Sequence, residues 1–360
     1  MRVLYWGTPA YAVPSLEALL SAGHTLVGVI SQPDRRRGRG RALQPSPVKQ
    51  RALELGIPVF TPARIRREPD LQAELAALGA EVSVVVAFGQ ILPREVLGQP
   101  PLGCWNGHGS LLPRWRGAAP IQWALLEGDE ETGVGIMAME EGLDTGPVLL
   151  ERRLPIGLLE NASQLGERMA ALTAELLVEA LPRIAAAGPG AEAERLAKLA
   201  VRPQGEQGMT YARQLERQDF RLDWSEGGLQ LHRRVMALHP GAHTSWRNRR
   251  LQVLASEPLV RRLAEKLSPE GARLAQRWGL PGPGAAPPAE AAPAAPGGTV
   301  LAIEPGVGLV VASGGCPLLV RQARLEGKAA AAGTALIQQM GCRPGDRLGE
   351  TAGGGPEPAP

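Results

Sequence analysis

The sequence predicts an α/β domain on a mostly parallel sheet, followed by a small β-barrel domain. Three observations carry this. Up to about residue 187, short apolar runs alternate with segments of helical spacing. One of these runs, EVSVVVAF at 81–88, is continuous and β-branched, as a strand buried on both faces requires. Beyond about residue 208, short strands separated by turn residues take over.

The elements follow in order. RVLYWG (2–7) is a first strand ending in Gly-Thr-Pro, and SLEALLSA (15–22) has helical spacing after Pro14. TLVGVIS (25–31) is a second strand. SPVKQRALEL (46–55) opens a helix, with Ser46 as N-cap and Pro47 at the first helical position, where its missing N–H costs nothing. IPVF, a helix near 69–78, the run at 81–88, GCWNGH (103–108), a helix near 118–127 and TGVGIMAM (132–139) continue the alternation. A long helix near 163–187 closes a first domain, 1–187, and 188–208 reads as a linker. Residues 209–350 form the barrel domain. Within it, 281–298 is poor in bulky apolar residues and is expected to be a disordered insertion, as is the tail 351–360.

Composition narrows the function. No apolar run approaches the roughly 20 residues that span a bilayer, and the chain starts directly on a strand, so a membrane protein is not expected. Cys104, Cys316 and Cys342 have no metal-ligand spacing and read as free thiols of a cytoplasmic protein. His232, His239 and His243 have no zinc-ligand spacing with them, so no metal is expected. The net charge of +3 hides an asymmetry. Residues 1–200 carry 20 Lys+Arg and 22 Asp+Glu, whereas 201–360 carry 19 and 14. An acidic catalytic half joined to a basic half suits an enzyme with a nucleic-acid-binding appendage.

The chemistry centres on residues 104–129, CWNGHGSLLPRWRGAAPIQWALLEGD. Asn106 and His108 are two apart, so on a strand they share a face. An amide and an imidazole in one cleft can hold a carbonyl and stabilise the oxyanion formed on attack. They still need a carboxylate. Asp144, in GLDTG after the apolar run at 132–139, is 38 positions from Asn106, and adjacent parallel strands would bring its turn alongside. Ser110 lacks the Gly-x-Ser-x-Gly elbow of a serine nucleophile. The set therefore points to acyl transfer onto an external nucleophile.

NGHGSLLPRWRGAAPIQ followed by GLDTG resembles the folate-dependent formyltransferase family, as do WGTPAYAVPSLEALL, SQPDRRRGRGRALQPSPVK, VVVAFGQILP and TYARQLERQDFRLDWS. The resemblance covers most of residues 1–260 and, more weakly, 299–350. It implies a Rossmann-like first domain and a C-terminal barrel related to the OB fold. It implies 10-formyltetrahydrofolate as donor and the amino group of methionyl initiator tRNA as acceptor, with nucleotide-sugar or glycinamide ribonucleotide amines as the alternative acceptors. Carried over by position, Asn106 and His108 polarise the formyl oxygen, and Asp144 orients His108 and relays the amine proton. Phe88, Gly89, Gln90, Ile91 and Leu92, with Ser110, Leu111, Leu112 and Pro113, line the folate pocket. The enzyme is expected to be a monomer.

The stretch from Arg35 to Lys49 holds six cations, Arg35, Arg36, Arg37, Arg39, Arg41 and Lys49, and no acid. Such a loop attracts phosphates, and the resemblance sends it to the acceptor stem, with Arg39 foremost. Arg114 and Arg116, beside the cleft, either meet the terminal adenosine or the folate tail or are rim charges. Arg233, Arg234, Arg247, Arg249, Arg250, Arg261 and Arg262 would grip the tRNA shaft, with Trp224 and Trp246 read as core. The sequence departs from the family pattern at Gly135, usually Thr or Ser, at Glu140, usually Asp, and at Gly241-Ala242-His243. The insertion at 281–298 is a further departure. None of these touches Asn106, His108 or Asp144.

Overall fold

The computed structural model describes residues 1–37, 42–279 and 295–350. These residues divide into two compact units. The first comprises 1–121, 131–155 and 165–214; the second comprises 122–130, 156–164 and the described chain from Leu215.

The first unit is built on a seven-stranded sheet of β1 (Arg2–Gly7), β2 (Thr25–Ile30), β3 (Val59–Phe60), β4 (Val82–Val86), β5 (Cys104–His108), β6 (Glu131–Ala138) and β7 (Val148–Pro155), in the order β3-β2-β1-β4-β5-β6-β7. The pairs β1–β2, β2–β3, β1–β4 and β4–β5 are parallel. β1 and β4 are buried almost throughout, as their apolar runs require. The helix Pro47–Glu54 begins as its sequence dictates: the Ser46 hydroxyl accepts from the Lys49 N–H at 3.0 Å. The strand order reverses between β1 and β4, and in open α/β sheets ligands bind beyond the strand ends near such a point.

Two expectations change here. β6 is antiparallel to β5, with Asn106 opposite Met137 and His108 opposite Gly135. The turn carrying Asp144 is thus delivered by an antiparallel neighbour and its return strand, not by a parallel one. The return strand β7 went unread because VLLERRLP is an edge strand: it is buried only at its start, and Arg152 turns outward to Glu175 and Glu179 of the helix Ala162–Ala187. The stretch 188–208, expected as a linker, holds a helix, Glu192–Lys198. It then adds to the sheet edge, where Val148 and Arg202 exchange backbone hydrogen bonds at 2.9 and 2.8 Å.

In the second unit β8 (His243–Trp246), β9 (Arg249–Pro258), β10 (Val300–Glu304), β11 (Gly308–Val311) and β12 (Leu318–Leu325) form an antiparallel sheet in the order β8-β9-β12-β11-β10. Trp224 and Trp246 are buried, and their indole N–H groups donate to Thr244 Oγ1 and the Met340 carbonyl. Of 281–298, residues 281–294 lie outside the described residues, as does the tail 351–360. Residues 295–298 end in a turn, and the Gly298 N–H donates to the Ala312 carbonyl at 2.8 Å. The ladder partner on that side is what the composition of 281–298 could not show. Among the described residues no helix is long and apolar enough to cross a membrane.

His232 is buried in this unit between the Leu158 carbonyl, 2.7 Å from Nε2, and Ser256 Oγ, 3.1 Å from Nδ1. Burial lowers its pKa to about 4. The unfolded chain takes up this proton near pH 6.5 and the folded one only near pH 4, so stability is whole above 6.5 and falls as pH drops. We expect a loss of about 2 kcal/mol between pH 7 and pH 5 from this residue. Urea unfolding of the wild type and His232→Gln checks it: the variant should be less stable at pH 7 and less sensitive to acid, and equal acid sensitivity would contradict it. Between the two site residues of β5, a Cβ on Gly107 would stand 2.6 Å from Thr173 Cγ2 of the helix Ala162–Ala187. Gly107→Ala should therefore destabilise by about 1–3 kcal/mol in urea unfolding, whereas a neutral effect would mean that this contact is loose.

Candidate active site

The strand β5 carries Asn106 and His108 on one face, and both are buried. His108 is fixed first. Its Nε2 lies 2.9 Å from the Trp115 carbonyl. A carbonyl only accepts, so Nε2 carries the proton and Nδ1 is the free nitrogen of the neutral ring. Nδ1 faces Asp144 Oδ2 at 3.7 Å.

The Asp144 carboxylate is held by two donors and faces the imidazole. The Gly117 N–H donates to Oδ2 at 2.9 Å, Asn106 Nδ2 donates to Oδ1 at 3.4 Å, and His108 stands opposite. Asp144 has φ of 53°, in the left-handed region that Asp tolerates better than most residues. Gly117 has φ of 117°, and a Cβ there would come 2.7 Å from the Ala212 carbonyl oxygen. Only glycine keeps this N–H aimed at the carboxylate.

The loop 109–117 is bound to the chain just before residue 214. The Trp115 N–H donates to Thr210 Oγ1 at 3.0 Å, the Arg116 N–H to the Thr210 carbonyl at 3.0 Å, and the Ala118 N–H to the Ala212 carbonyl at 2.8 Å. Ser110 Oγ donates to the Arg114 carbonyl at 2.6 Å, so its hydroxyl closes the loop. Arg116 is buried and donates to Gln204 Oε1 at 2.9 Å. Of the two readings of Arg116, the rim charge is excluded by this burial. Arg114 lies over the Trp115 ring, 4.3 Å from its centroid.

The residues expected to line a folate pocket differ in exposure. Phe88, Leu92, Ser110 and Leu112 are buried, and Phe88 meets Trp6 edge-on at 5.2 Å. Gln90 turns its side chain to the Ile65 N–H at 2.9 Å and the Pro62 carbonyl at 3.0 Å. Leu111 and Pro113 are half-buried. Gly89 and Ile91 are the exposed members. Ala87 and Gly89 both have positive φ, at 49° and 86°, so the backbone itself is contorted where the pocket was expected. A Cβ on Gly135, opposite His108, would meet no atom closer than 3.7 Å, so the departure there leaves space and no broken contact.

The basic loop is partly described. Arg35–Arg37 pairs with Ala42–Gln44 as an antiparallel ribbon. Arg39 and Arg41 lie outside the described residues. Lys49 is committed to Asp34, with Nζ 2.8 Å from Oδ1. The acid precedes the stretch in which cations were counted, which is why the count missed it. In the second unit Arg234 is likewise paired, with Glu226 at 2.8 Å, and Arg247 lies over Trp246 and 3.6 Å from Asp346. Among the described residues no cluster of His, Cys, Asp or Glu is placed to hold a metal ion.

Sequence reasoning missed Trp115, Gly117, Gln204 and Thr210. Gly117 ends the quoted PRWRG and so carried a weak signal; Gln204, inside the supposed linker, carried none. Gln204 also lines a cleft of about 430 Å³ with Glu140, Thr145 and Pro147 on one side and Leu196, Val201 and Pro203 on the other.

Residues 1–181 match the formyl transferase family model and 214–341 match that of the formyl transferase C-terminal domain. The chain is 66% identical to a methionyl-tRNA formyltransferase of Synechococcus sp. (strain RCC307), covering 94% of this chain and 100% of the relative. It is 58% identical to one of Prochlorococcus marinus (strain MIT 9313), covering 96% and 98%. Among solved structures it resembles WlaRD, a sugar 3N-formyl transferase, with a TM-score of 0.57 at 14% identity over 91% of this chain and 99% of that one. It also resembles HypX from Aquifex aeolicus in complex with tetrahydrofolic acid, with a TM-score of 0.56 at 16% identity over 94% and 47%. These two likenesses concern the fold. With both family models matched and relatives 66% and 58% identical over nearly the whole chain, the chain belongs to the formyl transferase family.

Proposed function

We propose that this protein transfers the formyl group of 10-formyltetrahydrofolate to the α-amino group of methionyl initiator tRNA. The observation that carries the reading is the 66% identity, over the full length of a methionyl-tRNA formyltransferase, in a chain whose Asn106, His108 and Asp144 converge. When bound, the donor supplies a formyl carbonyl on nitrogen. Exposed Ala87, Gly89 and Ile91 beside buried Phe88 and Leu92 fit a flat heterocycle.

The residues divide the work. Asn106 donates from its amide to the developing oxyanion. His108 is pinned by the Trp115 carbonyl at Nε2, so its Nδ1 is the nitrogen that works with Asp144. The 3.7 Å gap between them is too long for a hydrogen bond. With Nδ1 bare, both groups are acceptors, so a proton arriving on one of them is what joins the pair. The Trp115 carbonyl keeps the imidazole oriented, and Asp144 takes up the proton that the attacking amine loses, which passes on to the donor nitrogen as its bond to the formyl carbon breaks.

The ribbon at 35–37, with Arg39 and Arg41, engages the acceptor stem, and the second unit grips the tRNA body through Arg249, Arg250, Arg261 and Arg262. We read its antiparallel sheet as a barrel related to the OB fold. In this scheme 1–187 is catalytic, 188–208 joins, 209–350 binds tRNA and 351–360 is a tail. The protein works in the cytoplasm as a monomer.

Three expected outcomes test this. Offered initiator methionyl-tRNA, elongator methionyl-tRNA and glycinamide ribonucleotide side by side, the protein should formylate the initiator selectively; transfer to glycinamide ribonucleotide alone would replace the acceptor. His108→Ala and Asp144→Ala should each lower kcat by roughly 10²–10⁴-fold. Filter binding should show tRNA affinity within a factor of about two, and a large loss of binding would overturn the division of labour. Arg39→Ala should raise KM for tRNA and flatten its salt dependence while a folate titration stays unchanged; a shifted titration would move the loop to the donor.

A further inference from the structure

We propose that Gln204 is a positioning residue for this reaction, acting through Asp144. The inference rests on the role given to Asp144 above. Gln204 lies in the stretch read from sequence as a linker. Its Nε2 donates to two carbonyls of the Asp144 turn, Asp144 O at 2.9 Å and Gly146 O at 2.7 Å. Its Oε1 accepts from Arg116 Nε at 2.9 Å. Both amide hydrogens and the amide oxygen are thereby used.

The chemistry fixes the orientation of that amide. Turned over, Gln204 would aim its oxygen at two carbonyl oxygens and its NH₂ at a guanidinium. Arg116 is buried, and its own N–H is bonded to the Thr210 carbonyl. Gln204 therefore ties two loops together. One supplies Asp144. The other supplies Gly117, whose N–H holds the Asp144 carboxylate, and Trp115, whose carbonyl holds His108. Asp144 itself sits at positive φ, a conformation that persists only where its surroundings hold it. The two bonds to Asp144 O and Gly146 O supply that hold on either side of Thr145. Without them the backbone can relax and the carboxylate swings away from His108 Nδ1, while the donor and tRNA surfaces are untouched. A displacement of about 1 Å at a catalytic group is enough to cost about 10²-fold in rate.

The test measures kcat and KM for both substrates in Gln204→Ala, Gln204→Glu, Asp144→Ala and the Gln204→Ala/Asp144→Ala double variant. Urea midpoints confirm folding. Gln204→Ala should lower kcat roughly 10–100-fold with both KM values within a factor of about two. Gln204→Glu keeps a partner for Arg116 but faces two carbonyls with an oxygen, so it should lose kcat similarly; it carries the test if the alanine variant does not fold. In single turnovers the double variant should be no slower than Asp144→Ala within about twofold, because a residue acting only through Asp144 has nothing left to position. Near wild-type kcat in Gln204→Ala, a loss confined to KM, or a full multiplicative loss in the double variant would overturn the proposal while leaving Asp144 in place. Wild-type turnover in Asp144→Ala would overturn the reading of Asp144 and the proposal with it.

Discussion

The hydrogen bond from the Gly117 N–H to the Asp144 carboxylate joins the two loops from which the whole site is made. A backbone N–H cannot rotate away, so the loop that presents it sets the carboxylate's position, and the carboxylate in turn faces the imidazole and the amide of β5. Half of the constellation stands on a buried strand and half on a turn at positive φ. The strand is rigid because Val84, Trp105 and Ile136 around it are fully buried. The turn is rigid only because other groups reach it: Gly117, Asn106 and, on its backbone, Gln204. This is preorganisation of the kind that electrostatic catalysis requires, with the donors in place before charge develops.

The chemistry was more legible in the sequence than the architecture that delivers it. Asn106 and His108 could be placed on one face because the two-residue period of a strand is a backbone property. Ser46 and Pro47 announced their helix for the same kind of local reason. The antiparallel arrival of Asp144 could not be read. The 22 residues between His108 and Glu131 suit a parallel crossover, and the strand that returns after Asp144 is an edge strand whose charges hide its period. The same limit applies to the tautomer of His108, which depends on the carbonyl of Trp115 seven residues away. What 188–208 does besides joining could not be read, because Arg202 and Gln204 act through hydrogen bonds, and these leave no periodicity.

Electrostatics needed the structure as well. Counting charges along 35–49 gives six cations, but Asp34 lies one residue outside the count and takes Lys49. In the second unit Glu226 takes Arg234. Net charge points toward a polyanionic partner, whereas pairing decides which cations remain to meet it.

The central claim is that the Trp115 carbonyl holds His108 at Nε2, which leaves Nδ1 to work with Asp144. Nitrogen NMR of histidine-labelled protein, with His108→Gln used to assign the resonance, tests it directly. With the ring neutral, the account requires a protonated Nε2 and a bare Nδ1 at His108, unchanged in Asp144→Ala. A neutral ring protonated at Nδ1, reverting to a mixture of tautomers when Asp144 is removed, would show that the carboxylate and not the carbonyl sets the imidazole, and would contradict it.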